Sequence, residues 1–367
     1  MRVAIVGGGL AGFVGYLTLV RRGVEPEEIT VFSPELDPAA AWRRRAAAIR
    51  QTHMRSESDG HCLPTSFPGL AVREAGRRRS LGPLVQSVCD RYHPTVDAFL
   101  EHVEALRVSS AWSERVVPTR VERVNPVHEG FELDAAGLNR HGPFAHVLLA
   151  TGHPGYALPE ELRDDPRAVH SYEPHDYGAS VCVVGAGLAA ATEWLNALAA
   201  GANVTSVRRR EPVRRPLNVP RPYLTKRGLR SFRRLDPPAR AVLLRELLAP
   251  SYPPGAAWDT PVERARTEGR FRVEASVNGA DQVICATGFL CGYRHDLLLA
   301  QLVDEHGLGV VDGRIILAPD STVPALTDRS RTLALCGVAG QYAYPAADTL
   351  AGARFAAHAF LRRCRTR

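Results

Sequence analysis

Short apolar runs and a helical repeat open the chain in a fixed order. Residues 3–6 and 29–32 are apolar runs of the length of a buried strand, and between them apolar side chains recur with helical spacing from about residue 10 to residue 22. The first run leads directly into Gly7-Gly8-Gly9-Leu10-Ala11-Gly12. The pattern predicts a strand, a glycine-rich turn, a helix and a second strand, which is the arrangement of a dinucleotide-binding unit.

The same arrangement returns from residue 180 onward. Residues 180–184 form an apolar run, and Gly185-Ala186-Gly187-Leu188-Ala189-Ala190 follows it. A helical repeat then extends to about residue 200, and residues 204–207 form the next strand-like run. Two copies of one supersecondary unit predict two nucleotide-binding lobes in an α/β fold.

Two further runs are expected to complete the sheets of these lobes. Residues 144–150 and 281–285 are strand-like, and they end in Ala150-Thr151-Gly152 and Ala286-Thr287-Gly288. We therefore predict two Rossmann-like dinucleotide-binding domains, the second inserted into the first. The predicted boundaries are residues 1–157 plus 290–367 for the first domain and residues 158–289 for the second.

The remaining segments are less regular. Residues 154–177 are rich in proline and polar side chains and are typical of a linker. Residues 211–260 form a proline-spotted, basic insertion in the second domain, with a helical piece near residues 238–248. At the end of the chain, a strand at residues 332–336 and a helix at about residues 346–362 are predicted.

Both glycine turns have the composition that pyrophosphate binding requires. The N-terminus of a helix offers free N–H groups and the positive end of the helix dipole to an anion. Gly7 is expected to form the tight turn, Gly9 to let the backbone approach the phosphates, and Gly12 to let the helix pack closely on the strand. The residues in the same three places of the second unit are Gly185, Gly187 and Ala190.

The end of the second strand in each unit normally reads the adenosine ribose. An acid there binds a 2′-hydroxyl group, whereas an arginine can chelate a 2′-phosphate. In the first unit this position is Ser33, with Glu35 two residues on, and either residue could contact the ribose. In the second unit Arg208 and Arg209 stand there, which favours NADPH over NADH, although a solvated basic loop has the same composition.

Taken together, these motifs resemble the two-dinucleotide flavoproteins and, within them, the class B flavin monooxygenases, which include lysine and ornithine N-hydroxylases. The resemblance covers most of the chain at the level of motifs: the two glycine turns, the Arg208-Arg209-Arg210 strand end, the two Ala-Thr-Gly segments and His170-Ser171. It implies that the first lobe holds FAD and the second holds NADPH. Its implied reaction takes hydride from NADPH onto the flavin and transfers one atom of molecular oxygen to a soft nucleophile such as an amine or a sulfide.

The resemblance also implies positions for the flavin contacts. Residues 32–42 lie where the family has its ribose-binding acid and a turn beside the flavin, which implies a flavin contact for Trp42. Thr151 and Gly152, at the end of the third strand of the first lobe, are expected to be cofactor contacts. The last helix is implied to point its N-terminus at the flavin, and the segment before it contains Gly337 and Gly340.

The substrate pocket is expected along residues 51–69, which are dense in polar groups and follow Trp42. An ordinary polar surface loop would have the same composition. Glu57 or Asp59 could pair with the ammonium group of a substrate. No single catalytic residue is assigned; the pocket candidates are Arg55, Ser56, Glu57, Asp59, His61, Gln341 and Tyr342.

Composition excludes several other classes. The formal net charge is +7, but short arginine runs are scattered along the chain and do not form the single stripe of a nucleic-acid binder. The seven cysteines contain no C-x-x-C pair, which disfavours disulfide reduction and suits a reducing cytoplasm. No apolar stretch reaches the ~18 residues of a membrane span, and no signal peptide or metal site is predicted.

The leading functional hypothesis is a cytoplasmic, FAD- and NADPH-dependent monooxygenase of a small metabolite, with N-hydroxylation of an amine or amino acid as the expected reaction. The alternative is an NADPH-dependent flavoprotein reductase that passes electrons to a protein carrier such as ferredoxin. A nucleotide-binding scaffold without turnover is a third hypothesis. The expected partners are the substrate and molecular oxygen, and a homo-oligomer is left open.

Overall fold

Two parallel five-stranded sheets organise the computed structural model of the chain, which describes residues 2–54, 69–88, 92–137, 139–215, 219–224, 226–277 and 279–365. In chain order the strands are β1 (Val3–Val6), β2 (Ile29–Phe32), β3 (Val116–Val117), β4 (Val121–Val127), β5 (Gly130–Ala135), β6 (Asn139–Phe144), β7 (His146–Leu149), β8 (Ala168–His170), β9 (Ser180–Val184), β10 (Asn203–Val207), β11 (Val213–Arg214), β12 (Ser251–Tyr252), β13 (Phe271–Glu274), β14 (Gln282–Cys285), β15 (Val310–Val311), β16 (Arg314–Ile315) and β17 (Thr332–Leu335). The helices are α1 (Leu10–Arg21), α2 (Ala40–Ala48), α3 (Leu70–Arg78), α4 (Gly82–Val88), α5 (Val96–Ser109), α6 (Trp112–Arg115), α7 (Leu188–Ala199), α8 (Lys226–Arg234), α9 (Pro237–Leu247), α10 (Ala256–Thr267), α11 (Leu297–His306) and α12 (Leu350–Arg365).

The first sheet joins the two ends of the chain. Its strand order is β17-β7-β1-β2-β3, and every neighbouring pair is parallel. The central strand β1 is fully buried, because α1 and α12 pack together on one face of the sheet and a second apolar layer covers the other. That second layer comes from α11 and from the antiparallel sheet β4-β5-β6.

The second sheet is built entirely from the middle of the chain. Its strand order is β13-β10-β9-β14-β8, again with parallel neighbours throughout. Its buried core contains Trp194, which lies edge-on to Phe271 and Tyr252. The predicted α/β fold, with two parallel sheets and the strands of the second lying between those of the first in sequence, is confirmed.

Several local expectations differ from the structure. The segment predicted as a linker, residues 154–177, contains β8, whose residue Val169 pairs with Ile284 at the edge of the second sheet. A helix, α2, covers residues that were expected to form a turn, because a run of alanines strongly favours helix. The last helix begins at Leu350, four residues later than predicted, and the basic insertion contains α8 in addition to the expected helix α9. None of the described helices combines the length and the hydropathy that a membrane span requires.

Candidate functional site

The parallel register brings most of the predicted first-lobe residues to one edge of the first sheet. Val6 is aligned with Phe32 on one side and with Leu149 on the other, and Leu149 is aligned with Leu335. The residues that follow these four strand ends include Gly7, Ser33, Thr151 and Gly337. In open α/β sheets, ligands bind beyond the carboxyl ends of the strands, so this edge is the candidate site of the first lobe.

The first glycine turn is too tight for side chains at two of its positions. Gly7 has a φ of +103°, and a Cβ atom there would lie 2.2 Å from the carbonyl oxygen of Ala150. A Cβ atom on Gly12 would lie 1.9 Å from the carbonyl oxygen of Gly7, because α1 starts directly against the turn. Both glycines are therefore required by the packing of the protein itself.

Gly9 differs from these two glycines. Apart from Gly9 itself and its two neighbours in the chain, no described atom lies within 4 Å of the position that a Cβ would occupy there. Gly9 is also the residue that precedes α1, and no described side chain caps the free N–H groups of that helix. The turn thus presents open space in front of uncapped donors, which is the arrangement that an anionic group can fill.

The second glycine turn repeats this geometry with two changes. Gly185 has a φ of +141°, and a Cβ atom there would lie 2.4 Å from the carbonyl oxygen of Ala286. Gly187 precedes α7, and no described side chain caps that helix. Ala190 replaces the third glycine and is fully buried, so the helix leaves room there for a methyl group. Pro250, from the basic insertion, lies close to Gly187 and covers part of the turn.

The two candidates for the ribose contact occupy different environments. Ser33 is buried and lies against Gly8, with its hydroxyl group donating to the backbone oxygen of Glu35 at 2.8 Å. The Glu35 carboxylate lies nearer the surface and is paired with Arg44 at 2.7 Å. The structure therefore places Ser33, and not the Glu35 carboxylate, directly against the first glycine turn.

Arg208 and Arg209 directly follow β10, but their side chains differ. The side chain of Arg208 is 10% exposed, bonds Glu211 at 2.9 Å and lies over the ring of Trp194. The side chain of Arg209 is 93% exposed, and its nearest described carboxylate, on Glu161, is 3.9 Å away. Of the two guanidinium groups, that of Arg209 is the more accessible to a phosphate arriving from solvent.

Trp42 lies on α2 and packs inward. Its ring meets that of Phe99 on α5 edge-on, with 5.0 Å between the ring centroids. The ring belongs to the edge of the first hydrophobic cluster. The structure therefore gives Trp42 a packing role, and the predicted contact with a flavin remains a prediction.

The ends of β7 and β17 are held by specific contacts. The Thr151 hydroxyl group donates to the Asp296 carboxylate at 2.6 Å, and that carboxylate also caps α11 through the backbone N–H groups of Leu298 and Leu299. Gly152 has a φ of +79°. Gly337, with a φ of +69°, lies close to Ala11 at the start of α1, so that the C-terminal turn touches the first glycine turn.

A small cavity of about 50 Å³ lies beside these strand ends. Gly152, Cys291, Asp296 and Gln341 contribute to its wall. Gly340 packs against the end of β17, whereas Tyr342 is buried in the second core cluster under the guanidinium group of Arg240 and is not part of this wall. The other pocket candidates, Arg55, Ser56, Glu57, Asp59 and His61, lie outside the described residues.

Two chain segments cross between the sheets, and they form an aromatic junction that the sequence analysis did not identify. Residues 152–157 leave the first sheet, residues 287–291 return to it, and Tyr156 and Phe289 form an antiparallel bridge between them. The His153 ring stacks on Phe289 at 3.8 Å, and Tyr156 stacks on His170 at 4.4 Å. The guanidinium group of Arg45 lies 4.8 Å from the Phe289 ring.

Both histidines of this junction are held in the neutral form. Burial and the charge of Arg45 lower the pKa of His153 to about 4. Burial also lowers the pKa of His170, which accepts a hydrogen bond from the Tyr172 backbone at Nδ1 and contacts the Gly288 carbonyl oxygen through Nε2 at 2.9 Å. The junction is therefore a packed connection between the two lobes in which Arg45 carries the charge and the two histidines do not. The sequence feature that could have revealed this junction is the cluster of aromatic residues that directly follows each Ala-Thr-Gly segment.

The described cysteines offer no disulfide pair. Cys182, Cys285, Cys336 and Cys364 are buried, and burial raises the pKa of each thiol, to about 11 for the first two and about 12 for the last two. Cys291 is exposed at the crossing segment. Cys62 and Cys89 lie outside the described residues.

Comparison with solved structures finds likenesses over nearly the whole chain. Ornithine hydroxylase PvdA from Pseudomonas aeruginosa is 15% identical, with a TM-score of 0.71 and 99% of each chain covered. Ornithine N-hydroxylase KtzI from Kutzneria sp. 744, with reduced FAD, NADP+ and L-ornithine, is 16% identical, with a TM-score of 0.73 and 98% of each chain covered. The bacillithiol disulfide reductase Bdr (YpdA) from Bacillus cereus is 15% identical, with a TM-score of 0.58 and 98% and 97% of the two chains covered.

No family model and no curated protein matches the sequence. At 15–16% identity, the likeness to the solved structures establishes the fold. The chain has the fold of the flavoproteins that bind two dinucleotides.

Proposed function

We propose that the chain is an FAD- and NADPH-dependent monooxygenase of a small metabolite, and that it N-hydroxylates an amine or an amino acid. The observation that carries the proposal is the pair of glycine turns, each at the carboxyl edge of its own parallel sheet and each leading into a helix without a described side-chain cap. The full-length likeness to two ornithine hydroxylases supports it. The proposed FAD domain comprises residues 1–157 plus 290–367, and the proposed NADPH domain comprises residues 158–289.

The first turn fits the pyrophosphate of FAD. Gly7 and Gly12 bring the strand, turn and helix into contact, and the space in front of Gly9 is open to the phosphates. Ser33 is the proposed ribose contact, since it lies against the turn while the Glu35 carboxylate is paired with Arg44. Thr151, Gly152, Gly337 and Gly340 border the same edge of the sheet and are proposed to line the flavin site, with Trp42 behind it.

The second turn fits NADPH. Gly185 provides the tight turn, Gly187 precedes a helix without a described side-chain cap, and Ala190 fills the place of the third glycine. Arg209 is proposed to bind the 2′-phosphate, because its guanidinium group is almost fully exposed at the strand end. Arg208 is proposed to assist, held in place by Glu211 and Trp194. The charge at this strand end is what favours NADPH over NADH.

FAD and NADPH supply the redox chemistry that side chains lack, so the protein must orient the reactants and exclude water. The aromatic junction of His153, Tyr156 and Phe289 joins the two segments that cross between the lobes, through the bridge of Tyr156 with Phe289 and the stacking of His153 on Phe289. The neutral state of His153 leaves no histidine charge there to attract water. Residues 51–69 are proposed to contribute the groups that recognise the substrate.

A substrate screen tests the proposed reaction. Purified protein loaded with FAD is offered a panel of amines and amino acids, and NADPH consumption, hydroxylated product and hydrogen peroxide are all measured. We expect one group of amines to raise NADPH consumption together with product. If no amine or amino acid is hydroxylated and the electrons all appear in hydrogen peroxide, the proposed reaction is wrong.

A second candidate function is an NADPH-dependent reductase that passes electrons to a protein carrier such as ferredoxin. The likeness to the reductase Bdr over nearly the full length of both chains favours it, and the net charge of +7 would suit an acidic carrier. Fast, NADPH-dependent reduction of ferredoxin without any hydroxylated product would replace the first proposal with this one.

A further inference from the structure

A second connection between the lobes lies beside the aromatic junction and is polar. The Asn196 side chain, on α7, donates to the carbonyl oxygen of Ile49, at the end of α2, at 2.8 Å. The next residue, Arg50, pairs with Asp176 at 3.1 Å and places its guanidinium group 4.4 Å from the ring of Tyr177. The helix that starts at the second glycine turn is thus fastened to a helix of the first lobe.

A buried histidine and a buried glutamate hold the far side of this connection. The His175 side chain is 1% exposed and the Glu193 side chain, on α7, is fully buried. His175 Nε2 lies 3.2 Å from Glu193 Oε2, and the Tyr177 hydroxyl group donates to the same oxygen at 2.7 Å. The pair therefore ties the segment that carries Asp176 and Tyr177 to the side of α7.

Both ring nitrogens of His175 face oxygen acceptors. Nδ1 lies 2.7 Å from the carbonyl oxygen of Glu173, which accepts hydrogen bonds but cannot donate them. Nδ1 therefore carries a hydrogen, and the contact between Nε2 and the Glu193 carboxylate needs a second one. When that proton leaves, the bare nitrogen and the carboxylate oxygen face each other as two acceptors in a buried site, which is a costly arrangement.

The backbone of Arg50 adopts an unusual conformation at this connection. Its φ is +47°, in the left-handed region that residues with a side chain adopt infrequently. The chain enters residues 51–69, along which the substrate pocket is expected, directly after this residue. Contacts from Asp176, Tyr177 and Asn196 surround the strained turn and stabilise it.

We propose that Arg50, Asn196 and the His175–Glu193 pair form a proton-dependent junction that fixes the helix of the second glycine turn against the first lobe. With the proton present, the segment around Asp176 and Tyr177 is held on α7 and offers a platform to Arg50. Loss of the proton releases that segment and weakens the attachment. The consequence for hydride transfer between the lobes rests on the proposed function, whereas the junction itself does not.

The direction of the pH dependence follows from the surroundings of the His175 ring. Burial opposes its charge, but the hydrogen bond and the negative charge of Glu193 outweigh burial, and the pKa of His175 is raised above its usual 6.5. Because the pKa of His175 is raised in the folded state, its proton stabilises the folded protein fully below about pH 6.5. This stabilisation is lost as the pH rises through the pKa of His175 in the folded protein. The other charged and titratable groups near the ring are Arg50, at the end of α2, His170, at the end of β8, and Glu173, Asp176 and Tyr177, on its own segment.

Thermal unfolding across pH tests the junction in the full-length protein. His175→Gln keeps a side chain that can donate to Glu193 but has no proton to lose in this range. We expect this variant to melt ~2–4 °C below the wild type at about pH 6, and we expect that gap to close as the pH rises toward about 9. The matched control is His128→Gln, at the exposed tip of the β4–β5 hairpin, which should show no pH-dependent gap.

Hydrogen exchange locates the effect. In the wild type, protection of the amides of residues 49–51, corrected for the intrinsic pH dependence of exchange, should fall as the pH rises, while that of β17 stays constant. His175→Gln should remove this pH dependence. Should His175→Gln fail to fold, Arg50→Ala, on the exposed side of the junction, should lower the protection of residues 49–51 at about pH 6 to the level that the wild type shows at about pH 9, and should change it little at about pH 9. A melting gap that is the same at every pH, or a His175→Gln variant with the wild-type exchange profile, would overturn the proposal.

Discussion

Alanine substitutions at Gly12 and Gly9 should separate folding from cofactor binding within one turn. A Cβ atom on Gly12 would lie 1.9 Å from the carbonyl oxygen of Gly7, which belongs to the backbone and cannot swing aside. Relieving that overlap requires the start of α1 to move by more than about 1 Å. Overpacking of this kind costs about 3 kcal/mol, of which about 1 kcal/mol is offset by the better helix propensity of alanine. The net loss of about 2 kcal/mol corresponds to a melting temperature roughly 4 °C lower.

Gly9→Ala should have the opposite profile. Gly9 has φ and ψ values of −70° and −174°, which any residue adopts, and no described atom lies near the added methyl group. We expect the melting temperature of the cofactor-free protein to stay within about 1 °C of the wild type. FAD content per chain should fall sharply, because the methyl group would occupy the space in front of the helix N-terminus.

The assay is differential scanning calorimetry of the cofactor-free protein, combined with the flavin absorbance of the reconstituted protein. A Gly9→Ala variant that retains full FAD would show that the pyrophosphate does not approach Gly9. A Gly12→Ala variant that melts at the temperature of the wild type would show that α1 does not pack closely against the turn.

Three further predictions follow from other parts of the structure. Arg209→Ala should raise the Michaelis constant for NADPH about tenfold and leave that for NADH nearly unchanged, because a charge-assisted hydrogen bond to a phosphate contributes about 1.5 kcal/mol or more. Equal effects on the two nucleotides in steady-state assays would refute the 2′-phosphate assignment. Alkylation of the native protein followed by peptide mass mapping should modify Cys291 and spare the four buried cysteines, whose raised thiol pKa values keep them protonated; modification of a buried cysteine before unfolding would contradict this. Asp296→Ala should lower the free energy of unfolding by about 1–2 kcal/mol in denaturant titrations, since it removes both the cap of α11 and the partner of the Thr151 hydroxyl group. The control Asp97→Ala, at the exposed start of α5, should change the free energy of unfolding by less than about 0.5 kcal/mol.

The two βαβ units could be predicted because their signals are local. A strand, a tight turn and a helix each leave a periodic or glycine pattern within a few residues, and parallel pairing then aligns Val6 with Phe32 and Val184 with Val207. The carboxyl edge of each sheet follows from the topology alone. The predicted residues Gly7, Ser33, Thr151 and Gly337 therefore lie along one edge.

The remaining elements depend on tertiary contacts that leave little local trace. Strand β8 has only three residues and sits among prolines and acids, and it is a strand because Val169 pairs with Ile284, far along the chain. Helix α2 arises where a turn was expected, because its run of alanines favours helix. Parallel sheets bring such distant segments together without any periodic signal that marks the pair.

The contacts between the lobes could not be found from sequence for the same reason. Arg50 and Asp176 are separated by 126 positions, and no spacing rule relates them. His175 and Glu193 look like ordinary polar residues in a linker and a helix until burial shows that both are enclosed. Their importance comes from the shared environment, which only the folded chain defines.

Oxygen transfer is the most direct test of the proposed function. Protein loaded with FAD is supplied with NADPH, an amine that raises NADPH consumption, and molecular oxygen enriched in a heavy isotope, and the product is weighed by mass spectrometry. We predict that one labelled oxygen atom appears in the hydroxylated amine, in proportion to the NADPH consumed after hydrogen peroxide is subtracted. A product without label, or NADPH electrons that all reach hydrogen peroxide or a protein carrier, would contradict the proposed monooxygenase activity.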